Sequence, residues 1–278
     1  MDDFVLRAIT EDGAFRVIAA STTSSTQGVV DAQSAKGDAA RVLAELLTGT
    51  VIVREAMAPD LRVQGILQIG RGRMVADAYP GGATRGLVQE GGGGPLDPSR
   101  GGVLQLMRSL HNGALHQGIV EVAETNVSNA LAEYMQSSEQ VASFVSVAAI
   151  MDGDEVRAAG GFMVQLLPEV DRGALMIMTE RLEDFTPLPE LLRRGDASPE
   201  KLMAELLYAM PYQIVGRSTL RFECPCDESR VAASLASLPK SDIREMVDAG
   251  EMLEIQCDYC LRQYRFAPGK LRGLLQAS

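Results

Sequence analysis

Two tight pairs of cysteines near the C-terminus restrict this chain more than anything else in it. Cys224-Pro225-Cys226 is followed, after thirty intervening residues, by Cys257-Asp258-Tyr259-Cys260, and no other position of the 278-residue sequence is cysteine. Cysteines kept only for packing would scatter among the apolar runs. Close pairs point to shared chemistry: disulfides, or one metal ion. The first residues, Met1-Asp2-Asp3, have neither the basic stretch nor the apolar stretch of an export signal. The chain therefore reads as cytoplasmic, where thiols stay reduced and paired cysteines point to a metal before a structural disulfide. A set of four cysteines suits one Zn²⁺ per chain, held tetrahedrally. A Cys-x-x-Cys turn presents two thiolates to one ion. Cys-x-Cys does so when extended, because alternate residues of extended chain point the same way. Cys224, Cys226, Cys257 and Cys260 are thus the candidate metal ligands.

Spacing alone leaves two uses open. One is a purely structural zinc knuckle inside a protein-interaction module. The other is a redox switch. Metal-bound sulfurs are thiolates, the form that oxidants attack, and each has a partner one or three residues away with which to form a disulfide. Sulfurs bonded to each other no longer bind metal, and in a small module metal affinity is folding free energy. A thiol oxidoreductase using Cys257 and Cys260 fits less well. It needs a thioredoxin-like βαβ setting, whereas this Cys-x-x-Cys follows a short strand near the chain end.

The remaining sequence sets the frame for this module. Its length suits one large domain plus a smaller one. Hydrophobic residues make up 46% and charged residues 23%, an ordinary globular balance, but there is no Trp, so the core rests on aliphatic residues and on 13 Met. The net charge is −11 and the pI about 4.8, which argues against nucleic acid as a partner. The longest apolar run, Phe144 to Met151, is too short to span a membrane.

Residues 1–168 alternate short apolar runs with Gly-rich turns and read as an α+β domain with a mixed sheet. Strands are expected at Phe15–Ala20, Val51–Met57, Leu61–Ile69, Met74–Tyr79, Val103–Met107, Ile119–Ala123, Ser143–Met151 and Gly161–Leu167. Helices are expected at Ala39–Leu47, stopping near Gly49, and at Asn126–Met135, capped by Asn126 or Ser128. Gly91–Gly94 with Pro95 reads as a surface loop. Residues 169–223 form a Pro-punctuated, Leu-rich linker of short amphipathic helices. Thr186-Pro187 and Ser198-Pro199-Glu200 are helix starts, the second followed by an apolar face of Leu202, Met203, Leu206, Leu207 and Met210. Such short helices are marginal alone and must dock on something. Residues 224–278 form the small cysteine domain, with a helix at Ser241–Ala249 ended by Gly250, strands around Leu253 and Ile255 and around Tyr264 and Phe266, and a terminal helix at Lys270–Leu275.

At the cysteines the sequence resembles the redox-regulated 33 kDa heat-shock chaperone (chaperonin) family of bacteria. Phe222-Glu223-Cys224-Pro225-Cys226 and Gln256-Cys257-Asp258-Tyr259-Cys260 are similar to its two cysteine segments. Leu238-Pro239 and Tyr264-Arg265-Phe266 fall where it has similar residues. Upstream, Tyr134 with Ser138-Glu139-Gln140, and Gly160-Gly161 through Gln165 to Pro168, resemble two further segments; Met135 stands in place of Phe, and the glycine run and Glu124-Thr125-Asn126 depart from the pattern. The resemblance implies an ATP-independent holdase that is inactive when reduced and zinc-bound. Oxidation would pair Cys224 with Cys226 and Cys257 with Cys260, release zinc, loosen the linker and expose a surface for unfolded client proteins. The oxidised protein would be a homodimer.

No enzyme is expected. His111 and His116, five apart, do not share a helix face, and no Gly-x-Ser-x-Gly elbow or Walker A pattern occurs. Gly70-Arg71-Gly72-Arg73 reads as a solvated turn.

Overall fold

The computed structural model describes residues 2–57, 59–91, 96–122, 126–168 and 170–276. Most of the expected glycine loop, the Ala123 end of one expected strand and the Glu124-Thr125 pair lie outside these. The chain divides into two compact units, Met1–Glu223 and Cys224–Ser278.

The first unit runs β1 (Phe4–Thr10), β2 (Phe15–Ser21), α1 (Thr23–Gln33), α2 (Gly37–Met57), β3 (Val63–Ile69), β4 (Gly72–Ala78), β5 (Ala83–Gln89), β6 (Gly102–Ser109), β7 (Leu115–Val122), α3 (Val127–Ser137), β8 (Ser143–Asp152), β9 (Glu155–Leu166), α4 (Arg172–Glu183), α5 (Leu188–Arg194), α6 (Pro199–Leu206), β10 (Tyr212–Thr219) and β11 (Arg221–Phe222). Two sheets result. One has the order β10-β1-β2-β9-β8 and is antiparallel throughout; the other has the order β11-β5-β4-β3-β6-β7. The second sheet is mixed, because β11 joins β5 in parallel. This is the expected α+β class.

Helix α2 corrects one expectation. Val51–Met57, rich in β-branched residues, was expected as a strand, and Gly49 as a helix stop. Instead one helix runs through both, from Gly37 to Met57. It shares a core with both sheets: Leu43, Leu47, Val51 and Ile52 lie with Val5 and Ile18 of one and Leu67 and Met74 of the other. Every residue from Val42 to Ala56 is buried, so packing overrides the local strand propensity. Gly49 is used for closeness rather than termination, since a Cβ there would sit 2.2 Å from Leu131 Cδ1 of α3. The buried hydroxyls of Thr48 and Thr50 donate to the carbonyls of Ala44 and Leu46, at 2.8 and 2.7 Å.

The opposite face of the first sheet carries Phe4, Leu6, Phe15, Val17, Phe162 and Val164, and α4 to α6 cover it with Met178, Leu188, Leu192, Leu202, Met203 and Leu206. Ser198 caps α6 by accepting from Lys201 N, with Pro199 at the first helical position. Past α6 the chain returns to the sheets as β10 and β11. Gly70 turns β3 into β4 with φ +58°. No helix among the described residues is long and apolar enough to cross a membrane.

The second unit contains α7 (Glu228–Ala236), α8 (Lys240–Ala249), β12 (Leu253–Gln256), β13 (Gln263–Phe266) and α9 (Pro268–Gln276). Its core is small: Leu235, Val247, Tyr264, Phe266 and Leu271, with Cys226 and Cys257 packed at the edge.

Candidate metal centre

Two short stretches of backbone bring the four cysteines together. Cys224 and Cys226 lie in a stretch without regular structure that ends at Asp227, whose carboxylate caps α7 by accepting from Arg230 N at 2.8 Å. The cap fixes where that stretch must stop. Cys257 and Cys260 occupy the turn of the β12–β13 hairpin. There Leu261 N donates to Cys257 O (2.8 Å), Cys257 N donates to Arg262 O (2.9 Å), and the Gln256 side chain donates to Leu261 O (2.9 Å). Leu261 takes φ +56°, the left-handed conformation that turns the chain back into β13.

The four sulfurs all lie within 4.8 Å of one another. Cys224 and Cys257 are 3.8 Å apart and Cys226 and Cys260 3.3 Å apart, and all four are unbridged, half-buried thiols. Four thiolates about 2.3 Å from a central ion stand about 3.8 Å from each other in a regular tetrahedron. The donor set therefore fits a metal ion, and a set made only of sulfur suits a soft or borderline one.

Crowding also shows in the acidities. Burial pushes the Cys226 thiol up, but hydrogen bonds from Tyr264 and from the neighbouring thiols outweigh it and bring Cys226 down to about 7. Cys260 is pushed up to about 12, first by burial and then by its hydrogen bonds with Cys226 and Cys257. A cation at the centre would stabilise all four sulfurs as thiolates.

All four cysteines expected from sequence meet in this cluster. No histidine is among the residues that converge there. His111 is exposed in the β6–β7 turn, and His116 lies on β7 with Nε2 3.5 Å from Glu139. Among the described residues no other three or more His, Cys, Asp or Glu converge in this way. The sequence did not reveal the hydroxyl of Tyr264, which donates to Cys226 Sγ at 3.1 Å. Only the hairpin register, with Tyr264 opposite Ile255, places it there, and Cys226 comes from another stretch of chain.

Comparison with known proteins adds a family. The model of the family described as Hsp33 protein matches residues 3–267. The "33 kDa chaperonin" of Syntrophotalea carbinolica is 29% identical over 289 residues, covering 99% of this chain and 100% of that relative. The protein of that name from Bacillus subtilis is 28% identical over 286 residues, 98% of each chain. A crystal structure of the 33 kDa chaperonin from Thermotoga maritima shares the fold, with a TM-score of 0.83 at 20% identity over 99% of this chain and 98% of that one.

Proposed function

The chain belongs to the Hsp33 family, and from that premise we propose that it is a redox-regulated, ATP-independent chaperone of the cytoplasm. It acts as a binding protein rather than an enzyme. The observation that carries the reading is the convergence of four thiols from two distant stretches to within 4.8 Å. In the reduced state Cys224, Cys226, Cys257 and Cys260 hold one Zn²⁺ per chain. The ion supplies charge neutralisation for four crowded thiolates and a cross-link between Cys224-Pro225-Cys226 and the β12–β13 hairpin.

Oxidation uses the same sulfurs. A thiolate takes an oxygen from peroxide and becomes a sulfenic acid, and a neighbouring thiolate displaces hydroxide to leave a disulfide. Cys224 pairs with Cys226, and Cys257 with Cys260. Sulfurs bonded to each other are withdrawn from the donor set, so the second unit loses both its ion and its cross-link. Within residues 169–223, the metastable linker between the 1–168 domain and the 224–278 redox domain, the docked helices α4 to α6 then loosen. The apolar surface they uncover holds unfolding proteins, and the oxidised chain forms a homodimer. Nucleic acid and membranes are not partners.

The small core of the second unit also favours a plainer reading, a protein-interaction module with a structural four-cysteine zinc site. One experiment separates the two. Reduced protein is titrated with hydrogen peroxide under mild heat, while zinc release is followed with a chromogenic chelator and aggregation of an unfolded client by light scattering. The switch predicts release of about one zinc per chain together with suppressed aggregation. Retention of zinc leaves the structural reading, and release without suppression removes the chaperone.

A further inference from the structure

Tyr264 stands behind Cys226 with its polar end on the sulfur. Its hydroxyl is 3.1 Å from Cys226 Sγ. The ring is 9% exposed and packs with Phe266 and Leu271, so the contact is held by the core of the unit. A thiolate sulfur can only accept, so in this contact the tyrosine O–H is the donor and its proton is directed at Cys226. A thiolate that accepts a hydrogen bond is stabilised in place, and its electron pair is less available to an electrophile.

We propose that Tyr264 is a positioning residue that holds Cys226 Sγ in the cluster and damps its attack on peroxide. The proposal rests on the redox-switch reading given above. The step it opposes is attack of the Cys226 thiolate on one peroxide oxygen. The O–O bond breaks, a sulfur–oxygen bond forms and hydroxide leaves. A second thiolate then attacks that sulfur, the S–O bond breaks, a second hydroxide leaves, and the pair has given two electrons to the peroxide. Lone-pair density engaged by the Tyr264 proton is withheld from the first of these events. The hydroxyl thereby lets a metal-held, thiolate-rich cluster persist under low oxidant.

The test is Tyr264→Phe in the full chain, which keeps the ring in the core and deletes the donor. Wild type and variant are reduced and loaded with Co²⁺, and the sulfur-to-cobalt charge-transfer band is recorded. The same samples are treated briefly with iodoacetamide, and labelling at each cysteine is read by peptide mass. The variant is expected to move the band to lower energy, because the freed sulfur is a stronger donor. It is also expected to raise labelling of Cys226 relative to Cys224 by about three- to tenfold, the kinetic size of one hydrogen bond. An unmoved band with an unchanged labelling ratio overturns the proposal. So does equal acceleration at all four cysteines with the band in place, the signature of a merely loosened fold. Neither readout involves peroxide or a client, so the outcome stands apart from that of the chaperone assay.

Discussion

Glu139, in the segment that carries Tyr134 and Ser138-Glu139-Gln140, gathers Tyr134 and Arg108 around its carboxylate. Its carboxylate is buried on the core side of β6 and β7, accepts the Tyr134 hydroxyl at 2.5 Å, and takes a two-pronged pair from Arg108 at 3.1 Å. Burial pushes its carboxyl up, but the hydrogen bonds from Arg108 and Tyr134 win and hold it below the ordinary 4.5. The sign follows from that direction. A carboxyl that is more acidic when folded stabilises the fold above its unfolded value near 4.5, and the contribution fades as pH falls through the lower folded value. Glu139→Gln should therefore cost about 1.5–3 kcal/mol at neutral pH, read from urea unfolding. The gap to wild type should narrow as pH drops below about 4.5. A gap of constant size well into acid would mean that the cost comes from packing rather than from the charge.

Among the helices of the first unit, α4 is seated least firmly. Of its twelve residues only Met178 is fully buried, while Leu175, Met176 and Ile177 are exposed. By contrast α6 buries Leu202, Met203 and Leu206 against the sheet. Native-state hydrogen exchange should thus find α4 amides opening about a hundredfold or more faster than those of β9, which is paired on both sides. Equal protection in α4 and β9 would remove the idea of a segment poised to loosen. Much of this level could be read in the sequence. The Ser198-Pro199 start of α6, the Gly250 stop of α8 with φ +70° and the Asn126 cap of α3 are local chemistry, and local chemistry is written in neighbouring residues. What the sequence hid is set by distance. The strand-like Val51-Ile52-Val53 is helical because two sheets close on it. Phe4–Thr10 and Tyr212–Thr219 are strands that find each other across the length of the unit. The cysteine cluster was legible because its spacing is its chemistry; the Tyr264 hydroxyl was not, because its partner lies in another stretch of chain.

At the scale of the whole molecule the two units differ in what can hold them together. Met1–Glu223 has two extended cores, one between its sheets and one beneath α4 to α6, and needs no ion to account for its packing. Among its described residues Cys224–Ser278 buries six apolar side chains, five of them in one cluster, with four thiols close together beside it. A module with so little apolar burial is usually completed by a metal or by disulfides, and a structural zinc site contributes on the order of 10 kcal/mol. Removing the ion from reduced protein with a chelator should therefore unfold one unit and spare the other. In amide spectra, residues 224–276 should lose their dispersion while Met1–Glu223 keeps its pattern, and zinc, but not magnesium, should restore the lost signals. The asymmetry is the point of the experiment. If the second unit stays dispersed without metal, its fold does not depend on its sulfurs, and oxidising them would have no structural change to transmit. If both units collapse together, the ion supports more than the sulfurs it touches, and the first unit's cores are weaker than their burial implies.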